Sequence, residues 1–133
     1  MNQSPRHRAV ALVRHEDAIL LVYRKNERGE YYIAPGGGID PGETPQQAAE
    51  RELLEEAGVV VEIGEPLTEL HESDGRIQYF FWATLAEGVL PDRAMWQEEE
   101  KQTTEDFYRV EWISLSSIQE IDLRPLALKD ALL

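Results

Sequence analysis

Short apolar runs and period-two alternation dominate this chain, and both mark β-strands. His7 to Arg14 and Ala18 to Lys25 read as two strands joined by a hairpin turn at His15-Glu16-Asp17. A polar loop, Asn26-Glu27-Arg28-Gly29-Glu30, leads to a short strand at Tyr31-Tyr32-Ile33. Val59 to Ile63 is β-branched and predicts another strand, ended by Gly64-Glu65-Pro66. Leu67 to Glu72 and Arg76 to Leu85 then read as a pair joined by Ser73-Asp74-Gly75. In the second of these, Ile77, Tyr79, Phe81, Ala83 and Leu85 alternate with Gln78, Phe80, Trp82 and Thr84. Aromatic rings on both faces predict a strand covered on both sides. A strand at Phe107 to Ile113, a short helix from Ser114 through Ile121, and a last helix from Leu126 to Leu132 close the chain. Residues 86 to 106 show no periodicity. Strands with several antiparallel neighbours, interspersed with helices, predict an α/β fold with a mixed sheet between helices.

The strand pattern gives way between Thr44 and Gly58. Thr44 is an N-cap residue, Pro45 suits the first helical position, and Gln47 completes a Thr-x-x-Gln capping box. Gly58 supplies the left-handed residue that ends the helix, which therefore runs from Pro45 to Ala57. At about 100° per residue, Ala49, Leu53, Leu54 and Ala57 form an arc that can face a core. Glu52, Glu55 and Glu56 form the adjoining arc. Three carboxylates so spaced repel one another, and a hard divalent cation converts that repulsion into affinity. A solvated acidic helix face has the same spacing. In front of the helix, Ala34-Pro35-Gly36-Gly37-Gly38 is a glycine loop able to bring its backbone close to a ligand, followed by a turn at Asp40-Pro41-Gly42.

Loop and helix stand at fixed spacing: Gly37, five residues, Glu43, seven residues, Arg51-Glu52-Leu53, one residue, Glu55-Glu56, one residue, Gly58-Val59. This matches the Nudix box, Gly-x5-Glu-x7-Arg-Glu-U-x-Glu-Glu-x-Gly-U with U aliphatic, at every defined position. The chain therefore resembles a Nudix hydrolase. The resemblance implies an α/β/α sandwich and metal-dependent hydrolysis of a nucleoside diphosphate linked to a group X, releasing a nucleoside monophosphate and phosphate-X. It implies Mg²⁺ or Mn²⁺ held by Glu52, Glu55, Glu56 and the Gly37 carbonyl, with Arg51 among the catalytic residues. Arg51 and Glu43 are expected to pair across the loop–helix junction and orient the carboxylates. Gly36, Gly37 and Gly38 are expected to meet the substrate, and Arg24, at the end of the second strand, to contact a phosphate. The family also draws a carboxylate from the acidic stretch Glu98-Glu99-Glu100, where Glu99 is placed as a further metal ligand. Either Glu52 or one of these late glutamates would deprotonate the attacking water.

Composition narrows this picture. With 133 residues, the chain is long enough for one domain and one core. A formal net charge of −13 repels nucleic-acid backbone, so no nucleic-acid partner is expected, and it repels a free polyphosphate substrate as well. Phosphate chemistry on such a chain requires cations that invert the local field. The absence of cysteine excludes disulfides, thiol catalysis and cysteine-zinc sites and fits a cytoplasmic location. No apolar run approaches the roughly 20 residues that span a bilayer. His7, His15 and His71 lack metal-ligand spacing. Monomer and homodimer both stay open. So do an ADP-ribose, nucleotide-sugar or dinucleoside polyphosphate substrate, a non-catalytic nucleotide sensor, and an acidic interaction module.

Overall fold

The computed structural model describes residues 6–86 and 107–133. The strands are β1 (Arg8–His15), β2 (Ala18–Asn26), β3 (Gly29–Ile33), β4 (Gly36–Gly38), β5 (Val61–His71), β6 (Ile77–Leu85) and β7 (Phe107–Ser114). The helices are α1 (Pro45–Ala57), a 3-10 turn (Leu115–Glu120) and α2 (Leu126–Leu132). Among the described residues seven strands form one sheet in the order β3-β2-β1-β6-β5, with β4 paired to β1 and β7 to β2. The β1–β6 pairing is parallel and the other pairings are antiparallel, so the sheet is mixed as expected.

β1 lies at the centre because its run Ala9–Val13 is apolar throughout and can be buried on either side. Ala9, Ala11 and Val13 face one core with Leu20, Val22, Phe81, Ala83 and the helix residues Ala48, Ala49, Leu53 and Ala57. Val10 and Leu12 face a second core with Ile19, Leu21, Phe80, Ile118, Leu123 and Leu128. The first core lies under α1 and the second under the 3-10 turn and α2, which gives the α/β/α sandwich. β6 obeys the alternation read from its sequence, with Tyr79, Phe81 and Ala83 on the α1 side and Phe80 and Trp82 on the other.

Four local expectations need correction. The glycine loop is a strand, β4, because its backbone pairs with β1 through Arg8–Gly38, Ala9–Gly37 and Val10–Gly36. Gly64-Glu65-Pro66 does not end a strand; β5 runs through it with register shifts between Ile63, Pro66 and Thr68. Proline is tolerated at such an irregularity because no regular ladder bond is demanded of it. The polar loop ahead of Tyr31 is shorter than expected, since β2 and β3 pair as far as Asn26 and Gly29. Leu54 is 54% exposed, and Ala48 takes its place in the core. The sheet meets the side of α1 centred on Ala49 and Leu53, one residue step away from Leu54.

Candidate active site

The sequence fixes both ends of α1 and thereby aims its acidic face. The Thr44 hydroxyl accepts from the Gln47 amide at 3.1 Å, and the Gln47 side chain accepts from the Thr44 amide at 2.9 Å. At the other end Gly58 adopts the left-handed conformation with φ 68°, and its N–H donates to the Leu54 carbonyl at 3.0 Å. Burial of Ala49, Leu53 and Ala57 sets the rotation of the helix. Glu52 and Glu56 are then carried against β4.

β4 presents alternating backbone groups. Ala11 N–H donates to Pro35 and Ile39 N–H donates to His7, so Ala9 and Gly37 between them form the next mutually bonded pair. The Gly37 amide and carbonyl therefore turn towards β1. Gly36 and Gly38 present theirs to the opposite edge, where Gly36 N–H donates to Glu56 Oε2 at 3.2 Å. On that edge the Gly38 carbonyl accepts from Arg51 Nη2 at 2.9 Å. The Gly37 carbonyl, expected as the backbone metal ligand, is thus directed at β1, and the Gly36 carbonyl is better directed for that role. Gly37 serves through its missing side chain, because a Cβ there would sit inside van der Waals contact of the Glu52 carboxylate. Gly37→Ala should therefore lower kcat/KM at least about tenfold with little loss of melting temperature. At Gly36 the added carbon would instead meet backbone, including Val10 Cα at 2.8 Å. Gly36→Ala should destabilise the protein by about 1–3 kcal/mol in denaturant unfolding. Equal stability losses in the two variants would contradict the division.

Arg51 gathers the acidic residues. Its Nε and Nη2 donate to the two oxygens of Glu43 at 2.8 and 3.0 Å, the expected pairing across the junction. Nη1 donates to Glu52 Oε1 at 2.9 Å and to Glu55 Oε2 at 3.3 Å. Asp40, not anticipated from sequence, adds a carboxylate oxygen 3.4 Å from Nη2 and gives its own N–H to Glu43 at 2.9 Å. These bonds from Arg51 and Asp40 hold the Glu43 carboxyl down at about 2. They also push the Arg51 guanidinium up, through Glu43 first.

Glu56 has the opposite environment. Burial pushes it up to about 7, and neighbouring Glu52 adds to the rise, while the Gly36 N–H, Arg8 and Arg24 oppose it. Arg24 shares the α1 face of β2 with Leu20 and Val22, its guanidinium 5.5 Å from the Tyr108 ring centre. Its field reaches Glu56. The influence of Arg8 was missed in the sequence, where a lone cation opening a strand carries no signal; only the β1–β4 register brings it close.

Glu55 stands apart, its side chain 59% exposed and tied to Arg51, whereas that of Glu52 is 18% exposed. Among the described residues no three acidic or histidine side chains gather into a cation cage. Glu99 lies outside the described residues. The donor set nonetheless fits a hard cation. Two recessed carboxylates flank a backbone edge, one of them raised by burial, and the missing side chain of Gly37 leaves the Glu52 carboxylate its place.

The NUDIX domain model matches residues 5–130, and the chain belongs to that family of hydrolases. It is 35% identical to rat diphosphoinositol polyphosphate phosphohydrolase 2 over 77 residues, covering 58% of this chain and 42% of that protein. It is 39% identical over 74 residues to mouse diphosphoinositol polyphosphate phosphohydrolase 3-alpha, covering 54% and 44% respectively. The matched stretch is thus less than half the length of these relatives. Among solved structures, a Nudix hydrolase from Nitrosomonas europaea superposes with TM-score 0.66 at 27% identity, over 94% of this chain and 84% of that one. Another from the same organism reaches 0.71 at 23% identity, over 99% and 70%, and attests the fold alone. No helix among the described residues is long and apolar enough to cross a membrane.

Proposed function

We propose that the chain is a divalent-cation-dependent pyrophosphohydrolase that cleaves a nucleoside diphosphate linked to a group X. The observation that carries this reading is the placement of Glu56 at the edge of the glycine strand, bonded to Gly36 at 3.2 Å, and of the Glu52 carboxylate against Gly37. Water attacks one phosphorus, the P–O bond to the bridging oxygen breaks, and that oxygen leaves on the second phosphate. The proton released by water goes to a carboxylate, either Glu52 or one from the Glu98-Glu99-Glu100 stretch. Bound Mg²⁺ or Mn²⁺ supplies charge neutralisation at the diphosphate and acidifies water. Glu52 and Glu56 would hold it, with Gly36 as the backbone donor and Glu55 in support. Arg51 fixes the Glu52 carboxylate and keeps Glu43 ionised as its own anchor. Arg24, on the face of the sheet that carries α1, meets a substrate phosphate.

The names of the rat and mouse relatives add diphosphoinositol polyphosphates as a second substrate class, sharing the same phosphoanhydride bond. A hydrolysis screen should cover nucleoside triphosphates, ADP-ribose, nucleotide sugars, dinucleoside polyphosphates and diphosphoinositol polyphosphates. At least one is expected to be cleaved when Mg²⁺ or Mn²⁺ is present, and none in a chelator. Turnover that persists in chelator, or tight binding of every nucleotide without turnover, would overturn the assignment.

A further inference from the structure

Across β4 from the carboxylates, on the α2 side of the sheet, lies a cleft of about 220 Å³. Its walls include Arg8, Ala34, Gln78, Phe80, Arg124 and Pro125. The register places Arg8 beside Gly38 on one side and Gln78 on the other, so the mouth of the cleft adjoins the strand that Arg51 and Glu56 grip from the opposite edge. The cleft is therefore one strand removed from the edge that Glu56 and Arg51 hold.

The charges around it are unevenly matched. Arg124 is held by Asp122 at 3.2 and 2.9 Å and stacks on Tyr31 at 4.4 Å. Arg6, near Gly38, is paired with Asp40. The Gln78 amide donates to Glu72 at 2.8 Å, which orients its carbonyl oxygen and leaves its nitrogen a second proton. Arg8 alone of these cations has no hydrogen bond or ion pair with the described residues, and its Nε is buried without a partner. Leaving a buried donor of a charged group unsatisfied is costly. Among the described residues no carboxylate bonds to that Nε, although the chain carries a net charge of −13. A guanidinium that lines a cleft with an unbonded Nε is a ready fork for phosphate oxygens.

The geometry points to Arg8 as a specificity-determining residue: the cleft receives the group X of the substrate, and X carries a phosphate or equivalent anion bound by the Arg8 guanidinium. This inference rests on the pyrophosphohydrolase reading for its link to catalysis, but binding in the cleft can be measured without turnover. Phe80 and Pro125 give the cleft an apolar floor and wall, which suits the carbon skeleton to which such a phosphate is attached.

Two measurements test it. The first is kcat/KM in Mg²⁺ for diadenosine pentaphosphate and a diphosphoinositol polyphosphate, whose X is phosphorylated, against ADP-glucose, whose X is neutral. The wild-type chain should favour a phosphorylated X at least about tenfold, and Arg8→Gln should shrink that ratio about tenfold or more through KM. Arg8→Lys should retain part of it, since the charge stays and the fork is lost. The second is calorimetric binding of inositol hexakisphosphate to the metal-free protein, which Arg8→Gln should weaken at least about tenfold while its circular dichroism and melting match the wild type. If Arg8→Gln slows charged and neutral substrates by one common factor, Arg8 acts only through the field at Glu56, and the inference fails. Absence of turnover on every substrate, with Arg8-dependent binding intact, would sink the pyrophosphohydrolase reading and leave the cleft assignment standing. Arg8-independent binding would sink the cleft assignment.

Discussion

Glu56→Gln should lower turnover about a thousandfold and at the same time stabilise the metal-free protein at pH 8. The first effect follows from removing a recessed anionic donor where cation and diphosphate are to be held, while keeping the shape and a bond to Gly36 available. The second follows from linkage. Glu56 is a carboxyl raised from 4.5 to about 7 by burial and by Glu52. A raised acid is more readily ionised in the unfolded chain, so the folded state loses stability as pH climbs from about 4.5 to about 7, and the loss is complete above that. The shift corresponds to about 3 kcal/mol, an order-of-magnitude value. Urea unfolding of wild type and Glu56→Gln in a chelator, at pH 5 and pH 8, reads it directly. The variant should gain on the wild type only at the higher pH, and Mg²⁺ should restore the wild type there without helping the variant. A pH-independent difference, or a variant that keeps its activity, would remove Glu56 from the site.

Arg51→Ala should be the most destabilising single change at the site, by about 3 kcal/mol, with turnover reduced at least about a hundredfold. Its guanidinium satisfies Glu43, Glu52, Glu55 and the Gly38 carbonyl together. Removing it strands recessed carboxylates and a backbone acceptor, which costs more than the bonds themselves contribute. Arg51→Lys should recover little, because one ammonium cannot span acceptors that lie on both sides of a planar fork. The acid limb of the stability curve should also move. Glu43 is depressed to about 2, so its contribution is present above its unfolded value of 4.5 and is lost as pH falls towards 2. In Arg51→Ala the main cause of that depression is gone, so this acid-side loss between pH 4.5 and 2 should largely disappear. Denaturant titrations between pH 2 and 7 would show it, and an unchanged acid limb would mean that Glu43 is anchored by something else.

The parts of this site that were legible in sequence are those governed by near neighbours along the chain. Thr44, Gln47 and Gly58 specify the ends of α1 through contacts three or four residues apart, and the helix runs as read, Pro45 to Ala57. The sandwich was legible for a similar reason, since alternation in β6 states that both of its faces are covered. What was hidden depends on partners remote in sequence. Three glycines have no strand propensity of their own, and β4 exists because β1 supplies its ladder. Gly64 and Pro66 look like punctuation until β6 shows that the strand continues around them. Leu54 and Ala48 are both plausible core residues, and only the contact with the sheet chooses between them. Arg8 belongs with these, as its neighbours come from β4 and β6.

β4 is stitched to β1, the strand with Ala9, Ala11, Leu12 and Val13 wholly enclosed between the two cores. To loosen the glycine ribbon, its ladder with the most protected strand of the molecule must break, which restrains fluctuations there. The platform offered to an incoming diphosphate is consequently rigid before any ligand arrives. Entropy that a floppy phosphate loop would surrender on each encounter has here been surrendered once, during folding.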